Sequence, residues 1–123
     1  MCGIFALLNN NEQFSLEFIK NEFEKGVSRG PDNSIYLQLS NDCDFGFHRL
    51  AINGLTSLSN QPFDINGIQL ICNGEIFNHK ELELLLNINI TTKSDCEIII
   101  HLYKQYGIYQ TLLLLDGEFS FFL

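Results

Sequence analysis

Positive charge is scarce in this chain of 123 residues: Lys plus Arg number seven against fifteen Asp plus Glu, a formal net charge of −8 with His neutral. The seven are scattered singly, so nothing resembles the basic patch that a phosphate backbone requires, and a nucleic-acid partner is excluded. Long hydrophobic runs are also missing. None approaches the roughly 18 residues of a membrane helix, and the apolar opening at residues 4–8 lacks the basic flank of a secretion signal. A soluble, cytoplasmic protein is expected, with no membrane partner. The four cysteines, Cys2, Cys43, Cys72 and Cys96, form no Cys-x-x-Cys pair and have no histidine at zinc-ligand spacing. Neither a metal site nor a disulfide framework is indicated, and a reducing compartment fits.

What is present is apolar mass and an unusual beginning. Hydrophobic residues make up 46% of the chain, with 11 Phe, enough for the core of one globular domain. The chain starts Met1-Cys2-Gly3-Ile4-Phe5, so removal of Met1 leaves a cysteine carrying both a thiol and a free α-amine. An α-amine titrates at about 7.7 to 8.0 and can take the thiol proton close to neutral pH. Nucleophile and base then reside in one residue.

Along the chain, residues 3–8 form an apolar run of strand length that ends in Asn9-Asn10-Asn11 and puts Cys2 at the start of a buried strand. In residues 14–27, Phe14/Phe18 and Ile19/Phe23/Val27 recur every four residues and predict one apolar helix face, stopping near Gly26. Residues 34–39, 44–49 and 68–72 read as strands separated by Asn-, Asp- and Gly-rich turns. Asn78 with Glu81, and Ser94 with Glu97, carry the spacing of helix starts, and Gly107 is expected to end the second helix. Asp116-Gly117 reads as a tight turn before an apolar strand over residues 118–123. No repeat or low-complexity tract is visible.

Five motifs lie between or at the ends of these elements, in order: Arg29-Gly30-Pro31-Asp32, Phe47-His48-Arg49-Leu50-Ala51-Ile52, Gln61-Pro62-Phe63, Asn73-Gly74-Glu75-Ile76-Phe77-Asn78 and Ser94-Asp95-Cys96-Glu97. With the N-terminal Cys-Gly-Ile they resemble the glutaminase domain of glutamine-dependent asparagine synthetases, a class II glutamine amidotransferase of the N-terminal-nucleophile type. The resemblance covers residues 2–123 and implies an α+β fold, part of an αββα sandwich. It also implies hydrolysis of glutamine to glutamate and ammonia. Cys2 would be the nucleophile, its α-amine the base and then the acid, and Asn73 and Gly74 the donors that meet the oxyanion. A guanidinium can grip a carboxylate through two parallel hydrogen bonds, which suits Arg49 to the substrate's α-carboxylate. Asp95 corresponds to the residue that takes the α-ammonium. Glu75 and the backbone of Leu50, Ala51, Ile52 and Asn53 would complete the pocket, with Arg29 and Asp32 bracing the loops around Cys2. Cys43, Cys72 and Cys96 read as small buried apolar residues.

The same resemblance leaves something out, because relatives continue past Leu123. The C-terminal portion of the domain and the whole synthetase domain are expected to be missing, and with them the loop that would handle ATP and magnesium; no cofactor is expected in this chain. An apolar final strand with an open edge invites a synthetase polypeptide as partner, or self-association. Two readings follow: a glutaminase acting in asparagine biosynthesis, or an inactive remnant that binds glutamine or a partner.

Overall fold

A computed structural model describes residues 2–52 and 55–123 as a mixed helix and sheet protein, of the α+β class. Strands β1 (Gly3–Leu8), β2 (Asn33–Ser40) and β3 (Cys43–Arg49) make one antiparallel sheet in the order β1-β3-β2. Strands β4 (Phe63–Ile65), β5 (Ile68–Ile76) and β6 (Gly117–Phe122) make a second, in the order β4-β5-β6. Helix α1 is Leu16–Glu24, α2 is His79–Leu86 and α3 is Ile98–Leu114. The β4–β5 hairpin turns on Asn66-Gly67, both at positive φ (55° and 81°), the backbone that a two-residue turn between paired Ile65 and Ile68 demands.

The two-residue period of the strands sorts side chains onto faces. On one face of the first sheet, Phe5, Tyr36, Gly46 and His48 receive α1. The Phe23 ring meets Phe5 edge-on at 5.9 Å and stacks on His48 at 4.1 Å. On the opposite face, Ile4, Ala6, Phe45 and Phe47 pack against Ile71 of β5, and Phe45 meets Phe122 of β6 at 6.2 Å. The sheets therefore face each other. The far side of β5, with Leu70, Cys72 and Ile76, packs with Leu82 of α2 and Ile98, Ile99 and Leu102 of α3 into the larger core.

Several elements depart from the sequence-based expectation for identifiable reasons. Helix α1 buries only Ile19 and Phe23; Phe14 and Phe18 stack on each other at 5.0 Å and stay 43% and 47% exposed. The strand expected to end at residue 72 continues to Ile76 because β6 pairs with it from Ile71 to Ile76. Gly107 does leave helical geometry (φ 75°, ψ 171°), yet a further helical segment follows it within α3. Asn78 precedes α2 without capping it through its side chain; the side chain donates to the Leu114 carbonyl and accepts from the Asp116 N–H, tying the two ends of α3 and β6 to the start of α2.

Glu97 is likewise no capping-box partner. Its side chain is 1% exposed and accepts hydrogen bonds from the backbone N–H groups of Thr91 and Thr92, with His101 Nε2 3.1 Å away. Burial pushes this carboxyl up, but the hydrogen bonds from Thr92, Thr91 and His101 outweigh it and hold the group below its ordinary range. A folded-state value below the unfolded one, about 4.3, means that the stabilisation is full above that pH and lost as pH falls through the folded value. Urea unfolding should show wild-type stability declining below about pH 5 more steeply than that of Glu97→Gln, which should start about 1 to 3 kcal/mol lower at pH 7. Identical acid limbs would remove Glu97 from this role.

Candidate active site

The inter-sheet space is filled by Phe45, Phe47, Ile4 and Ile71 over part of its length and opens at one end. Register explains what stands there. Gly3 pairs with His48, so one step further Cys2 lies opposite Arg49, and both share the inward parity of Ile4 and Phe47. On β5, inward Ile71 is followed by Asn73 and Glu75 at the same parity. The four converge on a cavity of about 280 Å³, also lined by Leu50, Ile52, Ser59, Gln61, Gly74, Asp95 and Glu118. That volume sits just below the range of about 300 to 1,000 Å³ typical of drug-sized ligands, which suits a single amino acid.

The sulfur of Cys2 is held at the cavity wall by the end of β3. Leu50 N–H donates to Sγ at 3.4 Å, and the Leu50 carbonyl lies 3.6 Å from it. That loop is braced in turn, since Asp32 accepts the Ala51 N–H at 2.7 Å and donates its own N–H to the Arg49 carbonyl at 3.0 Å. Bracing by Asp32 was legible in the sequence. Arg49 is 7% exposed, and its Nη1 donates to the Thr56 carbonyl at 3.0 Å and to Asn60 Oδ1 at 2.6 Å. Ile52 stands 66% exposed at the mouth. Asn53 and Met1 lie outside the described residues.

The backbone of β5 makes the second wall. Successive residues of a central antiparallel strand direct N–H and C=O alternately to the two neighbours. Cys72 bonds towards the β4 side, where Gln61 accepts its N–H and donates Nε2 to its carbonyl at 3.1 Å. Ile76 also bonds on that side, its N–H donated to Asp95 Oδ2 at 2.6 Å. Gly74, between them, directs its N–H the same way, past the last β4 pair at Phe63↔Leu70. Asn73-Gly74 is thus mid-strand and not a hairpin turn. Glycine is required at 74 because a Cβ there would stand 2.4 Å from the Glu118 carbonyl and 2.6 Å from Phe119 Cα on β6. Asn73 Oδ1 is buried without a hydrogen-bond partner among the described residues, a state that native proteins avoid except where a ligand or water completes it.

Asp95 opens a 3-10 turn, Asp95–Glu97, capped by Ser94 Oγ accepting the Cys96 N–H at 3.3 Å. Cys72 and Cys96 are buried, as the sequence suggested, yet both also line the cavity. The Cys72 side chain beside it and burial together push the Cys96 thiol far up, which keeps it protonated and a poor competitor of Cys2. Cys43 is partly buried, and burial with neighbouring Asp44 raises its thiol too. Gln61, Ser59 and Glu118 went unassigned in the sequence; only Gln61 carried a signal, as part of the Gln-Pro-Phe motif. Among the described residues no group of three His, Cys, Asp or Glu side chains could hold a metal, and no helix is long and apolar enough to cross a membrane.

A cysteine at the head of a strand thus faces a cavity that one buried guanidinium and several carboxylates line, in a domain of the α+β class. Comparison with known proteins gives the particular family: residues 1–123 match the glutamine amidotransferase domain, and the chain belongs to that family. It is similar to the asparagine synthetases [glutamine-hydrolyzing] of Bos taurus, Homo sapiens and Gallus gallus, at 40%, 39% and 37% identity over 129 aligned residues covering 100% of this chain. The chain spans 22% of the length of each of these relatives.

Proposed function

We propose that this domain hydrolyses the side-chain amide of glutamine through a thioester on Cys2, as the glutaminase part of an asparagine synthetase. The convergence of Cys2, Arg49, Asn73, Gly74 and Asp95 on one cavity at the open end of the two sheets carries this reading. With Met1 removed, the α-amine of Cys2 takes the thiol proton and Sγ attacks the amide carbonyl. The carbonyl oxygen, now an anion, receives Asn73 Nδ2–H and the Gly74 N–H. The amine returns its proton to the departing nitrogen, ammonia leaves, and water then cleaves the thioester to give glutamate and restore the thiol. Arg49 holds the α-carboxylate and Asp95 the α-ammonium, while Glu75 and the backbone of Leu50, Ala51 and Ile52 close the pocket. The N-terminal-nucleophile sandwich belongs to the same reading, as does a reducing, cytoplasmic setting that keeps four thiols free. ATP and magnesium would be handled outside this domain, by a synthetase portion or partner polypeptide that receives the ammonia.

The Asn73 carboxamide offers a direct test. Its Nδ2–H is the donor proposed for the oxyanion, while its Oδ1, an acceptor with no partner among the described residues, is left for a donor on substrate or water. Asn73→Ala should lower kcat for glutamine by about 10² to 10³, equivalent to about 2.7 to 4 kcal/mol of transition-state stabilisation, with little change in KM. An unchanged kcat would assign the oxyanion to other donors. Glutamine binding without any ammonia release from the wild type would favour a binding module over an enzyme.

A further inference from the structure

Three consecutive side chains after β3, on the segment that leads into β4, each reach a different wall of the cavity. Ser59 Oγ donates to the Thr92 carbonyl at 2.6 Å, three residues before Asp95; Thr92 is itself fixed by Glu97. Asn60 Oδ1 accepts from Arg49 Nη1 at 2.6 Å. Gln61 takes both polar groups of the Cys72 peptide, immediately before Asn73 and Gly74. Ser59 and Gln61 are 6% and 4% exposed, so these bonds are shielded from water, where a lost partner is costly.

We propose that Ser59, Asn60 and Gln61 form a positioning clasp, one side chain to each functional wall of the cavity. The proposal rests on the glutamine reading above. Gln61 stands in for the strand neighbour that β5 lacks once β4 has ended, bonding Cys72 in both directions as a paired residue would. It fixes the height of the Gly74 N–H relative to the reacting carbonyl. Asn60 helps to set the direction of the Arg49 guanidinium, because its Oδ1 accepts from the same Nη1 that donates to the Thr56 carbonyl. Ser59 anchors the loop from which Asp95 rises. None of the three needs to touch glutamine; each acts through a residue that does. Because they are adjacent in sequence, a shift of this one segment would move the carboxylate grip, the ammonium grip and the oxyanion donors together.

Steady-state ammonia release from the full chain separates the three arms with three substrates: glutamine, its α-methyl ester, which lacks the carboxylate charge, and glutaramate, which lacks the α-ammonium. Asn60→Ala should raise KM for glutamine roughly tenfold, the worth of one hydrogen bond to a charged group, and leave KM for the methyl ester unchanged. Ser59→Ala should raise KM for glutamine and leave that for glutaramate unchanged. Gln61→Ala should lower kcat on all three with KM nearly constant. Should Gln61→Ala not fold, the crossed pattern of the other two variants decides. Losses that are equal across the substrates, or kinetics that do not change, would overturn the clasp while leaving the glutaminase reading intact. A wild type that neither releases ammonia from glutamine nor binds it would overturn that reading, and the clasp with it.

Discussion

Cys2→Ala is expected to reduce ammonia release from glutamine by a factor on the order of 10⁴ to 10⁶, the range seen when the nucleophile of an acyl-transfer site is removed. Glutamine affinity should change little, because the contacts proposed for Arg49 and Asp95 do not involve the sulfur. A diazoketone analogue of glutamine should label the wild type at one position. Cys72 and Cys96 line the same cavity but are buried, and the raised Cys96 thiol supplies little thiolate. Labelling should therefore be confined to Cys2. Intact-mass measurement should find Met1 absent from every active preparation, since a peptide bond on the Cys2 nitrogen removes the base. Turnover by a Met1-bearing form at the wild-type rate would refute the proposed proton path, and comparable labelling of Cys96 would refute the assignment of Cys2.

The part of this design that was legible in the sequence is the part set by local chemistry. An apolar run of strand length marked β1, flanking turns marked β3 closely, and the Asp116-Gly117 turn marked the start of β6. The motifs supplied Cys2, Arg49, Asn73, Gly74, Glu75 and Asp95, which the fold brings to one cavity. What stayed illegible depends on neighbours distant in sequence. Asn73-Gly74 has the composition of a turn, and only β6, more than forty residues later, keeps it extended. The three residues of β4 follow Pro62 and are too short to show a period. Glu97 stands at capping-box spacing from Ser94, but a loop returning at Thr91 and Thr92 offers it stronger partners. The Phe14/Phe18 repeat is helical in spacing and lies largely at the surface, where periodicity cannot reveal which of two apolar stripes the sheet will cover.

Asp95 has two tasks that a pair of substitutions should separate. Its Oδ2 accepts the Ile76 N–H at 2.6 Å, which fastens the 3-10 turn to the end of β5, and its charge is proposed to receive the α-ammonium of glutamine. Asp95→Asn retains a carbonyl oxygen for Ile76 and removes the charge; Asp95→Ala removes both and leaves the Ile76 N–H unmatched. Both variants should weaken glutamine binding by about 2 to 5 kcal/mol, the cost of deleting one partner of a buried charge pair, and raise KM accordingly. Only Asp95→Ala should also lose folding stability, by about 1 to 3 kcal/mol for an orphaned buried donor. Calorimetric titration with glutamine and with glutaramate, alongside urea unfolding, reads these effects apart. Glutaramate has no ammonium, so its affinity should not distinguish Asp95→Asn from the wild type. Should Asp95→Asn bind glutamine as tightly as the wild type, the residue serves only to strap the turn to β5. The ammonium would then have to be met by Glu75 or Glu118, which face each other across β5 and β6 at the same end of the cavity.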